Sequence, residues 1–309
     1  LSSSSAASDV YKRQVSSFTG YHFVKKISEK KENIIYCTLT KKINQYKSLR
    51  LKRIRELKRK KNIIFIKETK FGDKSFIKLL SKNKFDTICF HHASTKDYND
   101  DSKFKLNKSL EQNISNINKV FNKINKQTKI IVSNTIFQKI ISKKYKAVNK
   151  YGISKSITYD KIKNYCNKYN LKYKCIYITN PWGILEEKKL NYYLIYNWLQ
   201  NKETYVSHPN YIRDNIYIDK LTNYYLKMIK SKSKKIEYFP SGYCSSNKVF
   251  IEALKYQFER FFKKKVKIKY SSQIKYNQPI KRINGKKISR KILIKEDLKK
   301  YFNSYQDLI

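Results

Sequence analysis

The sequence contains no apolar run close to the roughly 18 residues that a membrane-spanning helix requires. No secretory signal peptide can be recognised at its start, and 40% of its 309 residues are hydrophobic. A chain of this length can form two moderate domains or one large domain. We therefore expect a soluble, globular, cytoplasmic protein without a membrane partner.

Cysteine is limited to five residues, an odd number, and no two of them have C-x-x-C spacing. This pattern supports neither a disulfide framework nor a zinc site. The sequence thus predicts reduced, buried thiols and no metal site.

Acidic residues are few: 23 Asp and Glu stand against 70 Lys and Arg, which gives a net charge of +47. Such a charge usually indicates nucleic acid or an anionic membrane surface. Here the excess is mostly lysine spread along the whole chain, and Asn, Ile and Tyr are abundant while Gly, Pro and Ala are scarce. We interpret this as the codon bias of an A/T-rich genome, and residues 50–61 as a solvated helix face or an insertion. A basic nucleic-acid-binding protein remains the alternative from another functional class, although no basic-aromatic module is recognisable.

The first 14 residues, LSSSSAASDVYKRQ, differ in composition from everything that follows. They are rich in Ser and Ala and show no apolar period. We expect them to be a foreign leader that lies outside the fold.

Beyond this leader, short apolar strands alternate with amphipathic helices. The predicted strands are 34–37, 62–66, 87–90, 129–132 and 173–179, and the predicted helices are 21–30, 75–80, 106–124 and one that starts near 151. This alternation is typical of an α/β fold with a doubly wound parallel sheet of the Rossmann type. Ligands of such sheets bind beyond the carboxyl ends of the strands. The segments 17–20, 93–94, 135 and 180–181 all fall at these ends.

Tyr151 and Lys155 are four residues apart, so a helix places them on one face, one turn apart. A lysine ammonium next to a phenol favours the phenolate, so we expect the Tyr151 pKa to lie below its ordinary value of roughly 10. A phenol of that kind can act as a general acid and base.

A series of ordered motifs over residues 15–262 resembles the extended short-chain dehydrogenase/reductases, specifically the NAD-dependent epimerase/dehydratase family that acts on nucleotide sugars. The matching segments are SFTG (17–20), GD (72–73), HHAS (91–94), Asn113, SNT (133–135), YGISK (151–155), NPWG (180–183), RDNIYI (213–218) and PSG (240–242).

The resemblance implies a role for each matching residue. Thr135, Tyr151 and Lys155 would be catalytic, and Thr135, Asn180 and Arg213 would contact the nucleotide sugar. Contacts with NAD or NADP would come from Ser17, Phe18, Thr19, Gly20, Thr38, Asp73, Lys74, Ala93, Ser94, Asn113, Tyr151 and Lys155. The family also implies a homodimer, a cofactor domain over residues 15–185 without its first strand, and a smaller substrate-binding part over residues 186–309.

Two departures from the family pattern bear on the activity. The second strand ends at Thr38, with Lys41 and Lys42 close behind, where NAD-specific sites carry an acid; the site could therefore accept NADP. Ile136 and Phe137 follow Thr135 in place of the Asp-Glu pair of the dehydratases. This favours an epimerase, with a keto-sugar reductase, a dehydratase or a catalytically silent member as alternatives.

Overall fold

The computed structural model describes residues 9–306, except positions 92, 94 and 96 and the side chain at position 13. The strands are β1 (Asp9–Arg13), β2 (Ile34–Thr38), β3 (Ile63–Ile66), β4 (Thr87–Phe90), β5 (Lys129–Thr135), β6 (Tyr173–Ile178), β7 (Asn180–Trp182), β8 (Thr204–Val206), β9 (Ile212–Tyr217), β10 (Glu237–Tyr238), β11 (Tyr243–Ser246), β12 (Ile268–Tyr270) and β13 (Lys281–Arg282). The helices are α1 (Phe18–Ile27), α2 (Ser48–Lys58), α3 (Lys74–Lys82), α4 (Leu106–Ile114), α5 (Ile117–Phe121), α6 (Lys150–Lys168), α7 (Leu190–Leu199), α8 (Ile218–Lys230), α9 (Asn247–Phe262) and α10 (Lys299–Gln306).

The chain divides into two compact units. Unit 1 runs through Ile178 and includes residues 222–238, whereas unit 2 comprises residues 179–221 and 239–309. The functional division into residues 15–185 and 186–309 stays a prediction; the compact units separate after Ile178, and residues 222–238 belong to unit 1. Residues 222–238 include β10, which pairs with β6 and so adds a strand to the large sheet of unit 1, with Glu237 opposite Cys175.

Unit 1 is built on a seven-stranded sheet in the order β10-β6-β5-β4-β1-β2-β3. Every neighbouring pair in this sheet is parallel. Its strands are short and rich in β-branched and aromatic residues, and all four residues of β4 are buried, as expected for a parallel sheet covered on both faces. The predicted α/β Rossmann-type fold is confirmed.

Strand β1 contradicts the expectation that residues 9–13 lie outside the fold and that the first strand is missing. It lies between β2 and β4, with Val10 opposite Ile35 on one side and Thr87 on the other. The buried Lys12 donates a hydrogen bond to the Tyr225 hydroxyl at 2.8 Å. Backbone hydrogen bonds with β2 and β4 hold this strand in the sheet. Because the strand itself is short and polar, its sequence pattern did not reveal it.

Two further expectations differ from the structure. The single helix over residues 106–124 is wrong, because Asn116 has a left-handed backbone (φ 49°) and separates α4 from α5. The Lys-rich tail from Lys264 onward has little apolar periodicity, yet it forms β12, β13 and α10 and contributes to the core of unit 2.

Unit 2 has a mixed sheet, β11-β9-β13 with β7 also on β9, and a two-stranded sheet of β12 and β8. Its core is aromatic and includes the buried residues Trp182, Trp198, Phe250, Phe258, Tyr301, Phe302 and Tyr305. All five cysteines of the chain are buried free thiols. Within the described residues, no helix combines the length and apolar character that crossing a membrane needs.

Candidate active site

The start of helix α6 is fixed by its cap and by a close backbone approach. Asn149 caps the helix, its Oδ1 accepting a hydrogen bond from the Gly152 N–H at 2.9 Å. Gly152 has no side chain to obstruct the contact with the preceding loop, since a Cβ there would come within 2.2 Å of the Phe137 carbonyl oxygen. These contacts hold Tyr151, in the first turn of α6, against the segment that follows β5.

Tyr151 and Thr135 lie close together. The Thr135 hydroxyl is near enough to the Tyr151 phenol to lower its pKa, and Thr135 is the last residue of β5. Three aromatic rings surround the Tyr151 ring, with centroids at 5.6 Å (Tyr98), 6.1 Å (Phe104) and 6.4 Å (Phe137). The phenol is thus held in an apolar cage at the carboxyl end of a central strand.

The expected lowering of the Tyr151 pKa is wrong for the protein alone. Burial, together with the neighbouring Tyr98, raises the pKa of Tyr151 well above its ordinary value, and the Thr135 hydroxyl offsets only part of that rise. Lys155 is buried, and its ammonium donates to the Ser133 carbonyl at 2.8 Å. Burial lowers the pKa of Lys155 to about 8. The sequence spacing placed the lysine correctly on the helix, but it could not anticipate that burial would raise the pKa of the phenol or that the ammonium would bind a backbone carbonyl.

The turn between β1 and α1 is tightly closed. Ser17 caps α1: its Oγ accepts a hydrogen bond from the Gly20 N–H at 3.2 Å and donates one to the Gln14 carbonyl at 2.8 Å. A Cβ at Gly20 would lie 2.2 Å from that same carbonyl oxygen, so this position requires glycine. The turn therefore presents the N-terminus of α1, where helix N–H groups without an intrahelical acceptor attract anions.

Other predicted cofactor-binding residues lie around this turn and the neighbouring strand ends. The Thr19 hydroxyl is 2.7 Å from His91 Nε2, and the Ala93 carbonyl accepts a hydrogen bond from Gln14 at 2.8 Å. Phe18 is buried, and the Thr38 hydroxyl is 2.9 Å from that of Tyr11. Ser94, also predicted to bind cofactor, lies outside the described residues, as does His92 in the same motif.

Asp73 and Asn113 make contacts that the sequence did not reveal. The Asp73 carboxylate caps α3, accepting hydrogen bonds from the N–H groups of Phe76 and Lys70, both at 2.7 Å; Lys74 is the first residue of that helix. Asn113 is buried and donates to the Thr158 hydroxyl at 3.2 Å, joining α4 to α6 one turn from Lys155. Their cofactor contacts remain predictions.

Arg213, predicted to bind substrate in unit 2, is largely buried. Its guanidinium lies 4.3 Å from the centroid of the Tyr211 ring and donates to the Ile280 carbonyl at 2.8 Å. Burial lowers the pKa of Arg213 to about 10, and the charge of Arg282 adds to this lowering. Asn180 begins β7, opposite Asn215 on β9, the strand that carries Arg213.

Arg282 was not recognised from the sequence. It stands opposite Arg213 on the adjacent strand β13, and Ser245 of β11 flanks Arg213 on the other side. The Ser245 hydroxyl and the Asn215 amide nitrogen are buried without a hydrogen-bond partner among the described residues. The signal for Arg282 was the rarity of arginine in a chain that uses lysine almost everywhere.

Comparisons with known proteins identify the family and the fold. The sequence profile described as "NAD dependent epimerase/dehydratase family" matches residues 15–238. Among functionally curated proteins, none shows significant sequence similarity.

Solved structures share the fold at low sequence identity. UDP-glucuronic acid 4-epimerase from Bacillus cereus, in complex with UDP-glucuronic acid and NAD, is 14% identical, with 97% of this chain and 100% of that chain covered and a TM-score of 0.74. The UDP-Glc/GlcNAc 4-epimerase of Campylobacter jejuni is 16% identical over 97% and 100% of the two chains, with a TM-score of 0.70. UDP-glucose 4-epimerase from Thermotoga maritima is 16% identical over 97% of each chain, with a TM-score of 0.68. The profile match covers well over half of the sequence, and the chain belongs to the NAD-dependent epimerase/dehydratase family.

Proposed function

We propose that this protein is an NAD-dependent epimerase that inverts C4 of a UDP-linked sugar. The observation that carries the proposal is the position of Thr135 at the carboxyl end of β5, with its hydroxyl close enough to the Tyr151 phenol to lower the pKa of that phenol, and Lys155 one helical turn away. The structures that share the fold supply the UDP-sugar class, since their names specify UDP-sugar 4-epimerases.

The residues at the end of β1 suit a dinucleotide. The capped N-terminus of α1 offers N–H groups to a diphosphate, and the absence of a side chain at Gly20 keeps α1 close to the turn. Ser17, Phe18, Thr19 and Gly20 would therefore hold the diphosphate. When bound, NAD accepts a hydride from the sugar carbon and returns it.

Thr135 and Tyr151 would handle the proton that accompanies hydride transfer. The Thr135 hydroxyl would hold the sugar oxygen in line, and the Tyr151 phenol would exchange a proton with it. Because burial keeps the phenol protonated in the protein alone, removal of a proton from the sugar hydroxyl requires stabilisation of the phenolate. The Lys155 ammonium, one helical turn along the same face of α6, would provide it.

The substrate diphosphate would bind to the arginine pair of unit 2. Arg213 and Arg282 are opposite one another in the β9–β13 register, and a planar guanidinium suits bidentate contact with phosphate oxygens. The unpartnered Ser245 hydroxyl and Asn215 amide would add hydrogen bonds to the nucleotide, and Asn180 would lie alongside. We also propose that the protein is a homodimer and that it is located in the cytoplasm.

A keto-sugar reductase is the second candidate, whereas a dehydratase is disfavoured. Thr135 is followed by the apolar Ile136, which is buried, and Phe137. Neither can carry the proton transfers that water elimination needs. The reductase would use the same Thr135–Tyr151 pair.

Incubation with NAD and a panel of UDP- and GDP-sugars, followed by NMR of the anomeric protons, tests the proposal. An epimerase produces the C4 epimer without net NADH. Turnover of a keto sugar only with added NADH or NADPH would indicate the reductase. No turnover of any sugar would contradict both, and light scattering would test the homodimer.

A further inference from the structure

Helix α2 buries a charged side chain that the sequence pattern did not single out. Of its basic residues only Arg53 is buried, on the same face as Ile54 and Leu57. Its solvent exposure is 0%, whereas Arg55, two residues further along, is exposed. Residues 50–61, interpreted as a solvated helix face or an insertion, therefore include one arginine that is not solvated.

The buried guanidinium reaches the turn that precedes α1. Arg53 Nη1 donates a hydrogen bond to the Ser16 carbonyl at 3.0 Å. The guanidinium carbon lies 5.8 Å from the centroid of the Phe18 ring, the first residue of α1. The positive charge consequently lies next to residues 16–18, which lead into the segment 17–20 that is proposed to hold the diphosphate.

An arginine at a core-facing helix position is costly. Removing a cation from water is unfavourable unless hydrogen bonds and charges compensate for it. An apolar side chain of similar volume would pack against Ile54 and Leu57 without that cost. What the guanidinium binds therefore matters more for the role of Arg53 than the space that it fills.

We propose that Arg53 is a positioning residue for the cofactor diphosphate. By binding the Ser16 carbonyl, it directs that oxygen away from an incoming phosphate and leaves the N–H side of the turn facing the ligand. Its charge adds to the positive end of α1. This matters in a turn where Ser16 and Ser17 provide none of the backbone freedom of glycine. The inference rests on the proposed cofactor site.

The test compares a ligand that has the diphosphate with one that lacks it. Calorimetric titration measures the affinity for ADP-ribose, and NMR titration measures that for adenosine, in the unmodified chain and in the variants Arg53→Met, Arg53→Lys and Arg55→Met. We expect Arg53→Met to weaken ADP-ribose binding by at least tenfold and adenosine binding by less than twofold. Arg53→Lys retains the charge and should restore part of the affinity. Arg55→Met removes the same charge from the exposed face and should change neither affinity.

The outcomes separate three explanations. Equal weakening of both ligands, or no weakening in a folded Arg53→Met variant, would overturn the positioning role and indicate a structural arginine. Should Arg53→Met fail to fold, as judged by circular dichroism, Arg53→Lys decides alone: a selective loss for ADP-ribose supports the proposal and unchanged affinity overturns it. If the unmodified chain binds neither ligand, the proposed cofactor site itself fails, and the inference with it.

Discussion

Two sites with tyrosine hydroxyls, one in each unit, differ in the group that lies next to the phenol. In unit 1, the hydroxyl of Thr135 lies next to Tyr151 and lowers its pKa. In unit 2, Tyr301 and Tyr305 of α10 both donate to the buried carboxylate of Glu186, Tyr301 at 2.5 Å.

The group next to each phenol determines whether the tyrosine can exchange its proton or only stabilises the fold. Burial raises the pKa of all three phenols, and Glu186 raises those of Tyr301 and Tyr305 further, whereas the Thr135 hydroxyl lowers that of Tyr151. A carboxylate accepts only while the phenol keeps its proton, so the Glu186 cluster holds α10 in place. A hydroxyl partner can either accept or donate, so Thr135 leaves Tyr151 able to exchange its proton.

The largest expected effect on activity comes from replacing a tyrosine by phenylalanine at each of the two sites. Tyr151→Phe removes the exchangeable proton and should lower kcat by about 10³-fold or more, in the range of general acid–base contributions, with little change in ADP-ribose affinity. Tyr305→Phe should leave kcat within a fewfold and lower the free energy of unfolding instead. NMR measures the turnover, and urea unfolding measures the stability. A Tyr151→Phe enzyme with normal kcat would show that Tyr151 is no more reactive than the structural tyrosines of unit 2.

Removal of the carboxylate should destabilise unit 2 strongly. Glu186→Ala leaves two buried hydroxyls without their acceptor, at an expected cost of about 3 kcal/mol, since each unsatisfied buried group costs about 1–3 kcal/mol. Glu186→Gln retains an acceptor and should cost less. Urea unfolding of both variants checks the order, and equal stability of Glu186→Ala and the unmodified chain would show that the cluster contributes nothing.

The stability of the same cluster should depend on pH. Burial raises the pKa of Glu186 to about 7, although its hydrogen bonds with Tyr301 and Tyr305 oppose the rise. Since the pKa of Glu186 in the folded state exceeds that in the unfolded state, the folded state binds the Glu186 proton more tightly. Protonation of Glu186 therefore stabilises the fold. This contribution is complete below the unfolded pKa of about 4.5 and is lost as the pH rises through about 7.

The expected loss between these pH values is on the order of 2 kcal/mol. Urea midpoints at pH 5 and pH 8 measure it, with Glu186→Gln as the non-titrating control. An unmodified chain whose pH dependence matches that of Glu186→Gln would exclude Glu186 as the responsible group.

A smaller effect concerns cofactor selectivity at the end of β2. Thr38 carries no carboxylate to bind the 2′-hydroxyl of NAD or to repel the 2′-phosphate of NADP, and Lys41 and Lys42 are exposed close behind it. The double substitution Lys41→Glu and Lys42→Glu should reduce the affinity for 2′,5′-ADP severalfold relative to 5′-ADP. The same charge reversal at Lys60 and Lys61 is the control, and an equal effect of both pairs would indicate only the general field of the protein.

The sequence predicted the architecture well, because parallel β-α alternation leaves a strong pattern of apolar runs. The strand that ends at Thr135 and the helix that begins near Tyr151 were also signalled locally, whereas the catalytic roles of the two residues came from the family resemblance and remain predictions. The sequence pattern failed where tertiary context decides: β1 is held by its neighbours in the sheet, and Asn116 interrupts a helix whose apolar period continues across it.

The charged groups show the same limit. Lys155 has the spacing that should acidify a phenol, but spacing does not reveal that its ammonium contacts the Ser133 carbonyl or that the phenol is desolvated. Arg53 resembles its exposed neighbours in the sequence, and only the packing of α2 distinguishes it. Arg282 lay in a segment without periodicity, so its pairing with Arg213 became visible only through the strand register.

The most direct test of the Thr135–Tyr151 pair is to change the hydroxyl partner while the phenol stays in place. Thr135→Val preserves the shape and removes the hydroxyl, whereas Thr135→Ser preserves it. With the UDP-sugar identified by the panel, we predict that kcat falls by about 10²-fold or more in Thr135→Val and by less than tenfold in Thr135→Ser. Equal kcat values for the two variants would contradict the account.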